Sequence, residues 1–161
     1  MTREAADRTI VVGYDGSTAA RAAVDRAIDR AIPDGRVVIV YAYHVPADYI
    51  AASYYPEMRT DAATLAAGLL DELEHGSRRL AAVAHERVIA VGPAAPAIIR
   101  AADVHHADEI IVGSRGVGRA RALVGSVAHD VIHRAHCPVT VIPERIVDRG
   151  EASAEVVEAL A

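Results

Sequence analysis

A chain of 161 residues that is 52 % hydrophobic is long enough to bury a core as one domain, and a net charge of −5 with a pI near 5.9 leaves no broad basic field for duplex nucleic acid. There is no Phe, no Trp and no Lys, so all 17 basic residues are Arg and the core must be assembled from small and branched aliphatic side chains. Met1–Arg8 is polar and no later apolar run approaches the roughly 18 residues of a membrane span, which predicts a soluble, cytoplasmic protein, while a single cysteine, Cys137, excludes an internal disulfide.

Thr9–Tyr14 is an apolar, β-branched run that reads as the first strand, closed by the turn and N-cap chemistry of Asp15-Gly16-Ser17. A helix follows, with Ala20, Val24, Ala27, Ile28 and Ala31 as its buried stripe, and Pro33-Asp34-Gly35 stops it. Arg36–Ala42 is a second strand. From Tyr43 to Pro56 the periodicity dissolves into a loop whose tyrosines (Tyr43, Tyr49, Tyr54, Tyr55) either wall a bound base or simply pin the loop to the surface. Asp61–Ala84 reads as a helix with Leu65, Leu69, Leu73, Leu80 and Val83 near one face and Gly76 as a weak point. Arg87–Val91 is the third strand, Gly92-Pro93 ends it, and Pro96–His105 forms another helix.

Ile110-Ile111-Val112 is a short apolar block stopped by Gly113, as a parallel strand covered on both faces would be. Val127, Ala128, Val131, Ile132 and Ala135 recur at helical spacing, which puts Gly125-Ser126 at a helix N-terminus. Glycines and arginines lie between, and that spacing suits a phosphate cradle: glycine permits close backbone approach, and the free N–H groups of a helix start favour an anion. A Walker A loop is excluded because it needs Lys. The dinucleotide fingerprint is excluded because the glycines run G-x-x-G-x-G after a late strand. Pro138 then breaks the chain, Val139–Ile142 is the fifth strand, and Pro143 ends it. Cys137, between the last helix and this strand, is expected to be buried or half-buried.

Gly113, Gly116, Gly125 and Ser126 fall on the Gly-x2-Gly-x9-Gly-Ser/Thr motif of the ATP-binding class of the universal stress protein family, which the sequence resembles from about Thr9 to Pro143. Val127 follows as the family's usual apolar residue. One departure stands out: eight residues, not nine, separate Gly116 from Gly125. Alternating β and α segments argue for a wound parallel sheet. The resemblance implies a single Rossmann-like α/β domain over residues 1–143, an open five-stranded sheet of order 3-2-1-4-5 with helices on both faces. Residues 144–161 form a tail outside it, a short helix or disordered.

The resemblance also implies a site at the carboxyl ends of the strands, where winding reverses between strands one and four. Asp15 corresponds to the family's adenosine-approaching Asp, although the same residue suits a cap before the first helix. Ala42 would offer backbone groups to the adenine edge and Gly113 would lie against the ribose. Gly116, Gly125, Ser126 and Val127 would present donors to the phosphates, with Arg115, Arg119 and Arg121 neutralising charge. ATP with Mg2+ is the implied ligand, and a homodimer paired through the fifth strand the implied assembly.

His129, His133 and His136 share a helical face, read as solvated rather than metal-binding, and no catalytic residue is assigned. No positioned base for water stands out, so at most slow ATP hydrolysis is expected. Two functions compete: a nucleotide-dependent stress-response switch, and a dimeric module of the same fold that has lost nucleotide and serves protein partners. An ATP-using activating enzyme lacks any second-substrate motif.

Overall fold

The computed structural model describes residues 8–43, 56–114 and 125–143. Its strands are β1 (Thr9–Gly13), β2 (Arg36–Tyr43), β3 (Ala84–Val91), β4 (Glu109–Gly113) and β5 (Val139–Ile142). They form one sheet of order β3-β2-β1-β4-β5 in which each neighbouring pair is parallel. The helices are α1 (Thr18–Ala31), α2 (Pro56–Gly76), α3 (Ala94–Val104) and α4 (Ser126–Arg134).

Side chains alternate across a strand, so the apolar runs of β1, β2 and β4 feed two cores at once. Ile10, Val12, Val37, Ile39 and Ile111 meet α1 and the Leu70 and Leu73 side chains of α2 on one face. Val11, Val38, Val40, Ile110 and Val112 meet α3 and α4 on the other. Ala19, Ala20, Ala23, Ala27 and Ala31 make up most of the buried stripe of α1, which lets that helix lie close to the sheet. The closeness shows at Gly113, where a Cβ would sit 2.9 Å from Ala19 Cβ and 3.1 Å from the Ala19 carbonyl carbon.

Several boundaries differ from the sequence reading. The long helix expected over Asp61–Ala84 instead ends at Gly76. Ser77 Oγ accepts from the Leu80 N–H, opening a separate 3-10 turn at Leu80–Ala82, so Leu80 and Val83 are buried from a connection rather than from a helix face. Its predicted face also rotates: Leu65 is 66 % exposed, while Ala66, Leu70 and Leu73 are buried. The third strand begins at Ala84, three residues before Arg87, because His85 and Glu86 are edge-strand polar residues that hide its start. Tyr43, expected in a loop, closes β2, and its carbonyl accepts from the Gly92 N–H at 2.8 Å. In α4 only Ala128 and Val131 are buried, leaving Val127 and Ile132 exposed. Tyr49, Tyr54 and Tyr55, and the tail 144–161, lie outside the described residues. Among those described, no helix is long and apolar enough to cross a membrane.

Candidate functional site

In an α/β sheet whose order turns at β1 and β4, the carboxyl ends of those two strands border a crevice. β1 delivers Tyr14, Asp15 and Gly16 to it. The Tyr14 N–H donates to the Val40 carbonyl at 2.9 Å, the last bond to β2, after which the chain turns at Gly16 with φ +83°, a conformation suited to glycine. Asp15 Oδ1 accepts from the Ser17 N–H at 3.0 Å, and Ser17 Oγ accepts from the Ala20 N–H at 3.2 Å, capping α1. Asp15 is therefore half-buried and held by a local turn, with its carboxylate an acceptor at the strand end. Tyr14 lies under α1 in the first core; burial pushes its hydroxyl pKa up, and nearby Arg21 opposes the shift.

β4 delivers Gly113 and Ser114. Gly113 is backed by the first turn of α1, so its missing side chain has a packing reason independent of any ligand. Ser114 is 5 % exposed; its N–H donates to the Ile142 carbonyl at 2.7 Å, and its own carbonyl accepts from the Gly125 N–H at 2.6 Å. The chain thus leaves at Ser114 and returns to the same point at Gly125, closing the intervening stretch at its base. Arg115, Gly116, Arg119 and Arg121 fall within that stretch and lie outside the described residues. Gly125 is the N-cap of α4 and brings no side-chain cap, whereas Ser126 and Val127 occupy the exposed first turn. The α4 start is in this respect unlike that of α1: the one has no capping hydroxyl, the other has Ser17.

Ala42 sits one residue before the end of β2, paired with Ala90, and half-buried. The structure therefore gathers Asp15, Gly113, Gly125, Ser126 and Val127 around the ends of β1 and β4 and sets Ala42 at the end of the strand beside β1. Chemically, a carboxylate acceptor on one side and uncapped helix amides on the other suit a ligand with donor groups at one end and an anion at the other. Ser114 was not singled out from the sequence, where a lone Ser after a strand reads as loop; its N–H supplies a bond of the Gly113 to Ile142 bridge that ends the β4–β5 ladder.

His129 and His133 bring their rings to 4.5 Å between centroids, and His136 Nδ1 lies 3.3 Å from Asp103 Oδ1 on α3. No group of three or more His, Cys, Asp or Glu side chains among the described residues is placed to hold a metal ion.

The model of the universal stress protein family matches residues 7–143. The chain is 36 % identical over 148 residues to the universal stress protein Rv2624c of Mycobacterium tuberculosis, covering 86 % of this chain and 49 % of that protein, so it spans about half the length of that relative. It is 31 % identical over 138 residues to a universal stress protein of Thermus aquaticus, covering 84 % and 98 %. A solved universal stress protein in complex with cAMP superposes with a TM-score of 0.58 at 32 % identity, covering 84 % of this chain and 95 % of the other.

Proposed function

Since the chain belongs to the universal stress protein family, we propose that it is a regulatory protein whose site at the ends of β1 and β4 binds an adenine nucleotide, ATP with Mg2+, and that it acts as a homodimeric switch paired through β5. The observation that carries this reading is the base of the loop: the Gly125 N–H meets the Ser114 carbonyl just beyond β4, the strand paired with β1 that leads into the Asp15 turn, and α4 starts there without a side-chain cap. A related structure that holds cAMP supports an adenine nucleotide as the ligand class.

The residues present fit such a ligand. Asp15 would accept from the amino or ribose hydroxyl donors and Ala42 would meet the base edge through its backbone. Gly113 would lie near the ribose, and Arg115, Gly116, Gly125, Ser126 and Val127 would meet the phosphates. When bound, ATP supplies the charge that the loop and helix amides stabilise, and the Mg2+ would be held chiefly by phosphate oxygens. The role of the protein is to orient and retain the nucleotide.

A second reading, a nucleotide-free interaction module of the same fold, draws on the shortened loop and on Gly113, whose glycine is already required by α1. Denaturing the purified protein and chromatographing what is released, then titrating ATP, AMP and cAMP by calorimetry, separates the two. Released adenine nucleotide, or binding that a Gly116→Ala, Ser126→Ala double variant loses by about tenfold or more, matches the first reading. Negligible heats from all three nucleotides, in wild type and variant alike, leave the second.

A further inference from the structure

The sequence places His129, His133 and His136 on one face of a helix, and the structure splits them. α4 ends at Arg134 and its C-cap Ala135 is extended, with φ −68° and ψ 146°, so His136 leaves the helical face and its Nδ1 lies 3.3 Å from Asp103 Oδ1 on α3. His129 and His133 stay on α4, one turn apart on the side away from the buried Ala128 and Val131. Both are exposed, and their ring centroids lie 4.5 Å apart with the planes tilted by 59° rather than stacked. His85, His105 and His136 each face a carboxylate oxygen, of Glu74, Glu86 and Asp103 in turn, whereas the partner of the His129 ring is the His133 ring.

A neutral imidazole offers a nitrogen lone pair that suits Zn2+, Ni2+ and Cu2+. With metal–nitrogen bonds of about 2.0–2.1 Å, two imidazoles in neighbouring coordination positions put their centroids roughly 4.5–5 Å apart, a separation this pair already has. Binding then requires little more than turning two exposed rings until one nitrogen of each faces the same point. Among the described residues no group of three or more ligating side chains is assembled, so water would fill the remaining positions and leave the ion open to solvent. We propose that His129 and His133 form a two-histidine site for a divalent transition-metal ion of the zinc, nickel and copper class. Such a site is separate from the Mg2+ of the nucleotide reading, a hard ion that takes oxygen ligands. It would clamp a helix of nine residues, and the His129 N–H already donates to the Gly125 carbonyl at 2.9 Å where that helix begins.

Calorimetric titration of NiCl2 into the untagged, nucleotide-free full chain is expected to give one ion per chain with a Kd in the micromolar range. His129→Gln and His133→Gln change exposed side chains and should leave the fold intact, yet each should weaken binding by about tenfold or more. His136→Gln, which removes the histidine held at Asp103, should stay within about twofold of wild type. Equal affinity in all four proteins, one ion to two chains, or no saturable binding overturns the site.

A second arm uses wild-type protein alone and does not depend on any variant folding. In a titration with ZnCl2 followed by NMR, the imidazole resonances of His129 and His133 should move together and ahead of the rest of the chain's eight histidines. Shifts spread evenly over the histidines, or beginning at His136, mark adventitious surface binding and overturn the site. Neither arm draws on the nucleotide reading, so failure here leaves that reading to its own test.

Discussion

At the residue scale, the glycines and the serine of the loop motif have different physical reasons to be there, and stability separates them. A Cβ at Gly113 would meet the Ala19 Cβ at 2.9 Å and the Ala20 backbone nitrogen at 3.2 Å, atoms that cannot swing aside. Gly113→Ala is expected to destabilise the fold by about 1–3 kcal/mol through overpacking, read as a lower urea midpoint at constant m. Ser126 is exposed in the first turn of α4, so Ser126→Ala should leave the same midpoint within about 0.5 kcal/mol while weakening nucleotide binding. A second contrast concerns Cys137, half-buried against the second core. Burial pushes its thiol pKa up, and the carboxylates of Asp103 and Asp108 push the same way. Less thiolate is present at neutral pH than in an unfolded chain, so alkylation by iodoacetamide at pH 7.5 should be slower in the native protein than in urea. The sign for stability follows: as pH rises past about 8.5 the unfolded thiol ionises first, so the native state loses stability there. An alkylation rate equal in both states would refute this.

At the element scale, α2 buries Ala66, Leu70 and Leu73 against the core and adds ion pairs along its seam with the β3 edge. Arg87 reaches Asp71 at 2.5 Å and Glu74 at 3.3 Å, and His85 Nε2 lies 3.4 Å from the same Glu74 oxygen. Hydrogen bonding to Asp71 raises the Arg87 pKa further, but the guanidinium is well solvated. Arg87→Ala should accordingly cost no more than about 1 kcal/mol at low salt and less in 1 M NaCl, measured by urea unfolding at both ionic strengths. The same seam explains what could be read in advance. β1 and β4 were legible because strands buried on both faces are continuous apolar runs, and Asp15-Gly16-Ser17 because its turn chemistry is local. The start of β3 was not, since His85, Glu86 and Arg87 carry the signature of a surface while their backbone pairs with β2. Leu65, Val127 and Ile132 misled in the opposite direction: their spacing is helical and apolar, yet the packing partners cover Ala66, Leu70 and Leu73 in α2 and Ala128 and Val131 in α4. Of the candidate site, Gly113, Gly125 and Asp15 were proposed from the motif resemblance, but the double use of the Ser114 backbone depends on register, which no local pattern encodes.

At the scale of the whole molecule, the proposed nucleotide and the proposed partner would act on one quantity, the free energy of the native state, and mass action distinguishes them. A ligand that binds only the folded chain stabilises it by RT ln(1 + [L]/Kd), about 2.7 kcal/mol at a hundredfold excess over Kd. For a chain of this size each kcal/mol moves the melting temperature by roughly 2–4 °C, so saturating ATP should raise it by roughly 5–10 °C. The proposed homodimer paired through β5 would add a second dependence, because dissociation would accompany unfolding and the melting temperature would then climb with protein concentration. β5 has the features such pairing needs: an edge position, one strand neighbour, and Val139 and Val141 half-buried beside the α3–α4 core. Melts over a hundredfold range of protein concentration, each with and without ATP, should show both slopes. A melting temperature that rises with ATP but is flat in protein concentration would leave the nucleotide site standing and remove the dimer, whereas the reverse pattern would assign the edge to assembly alone.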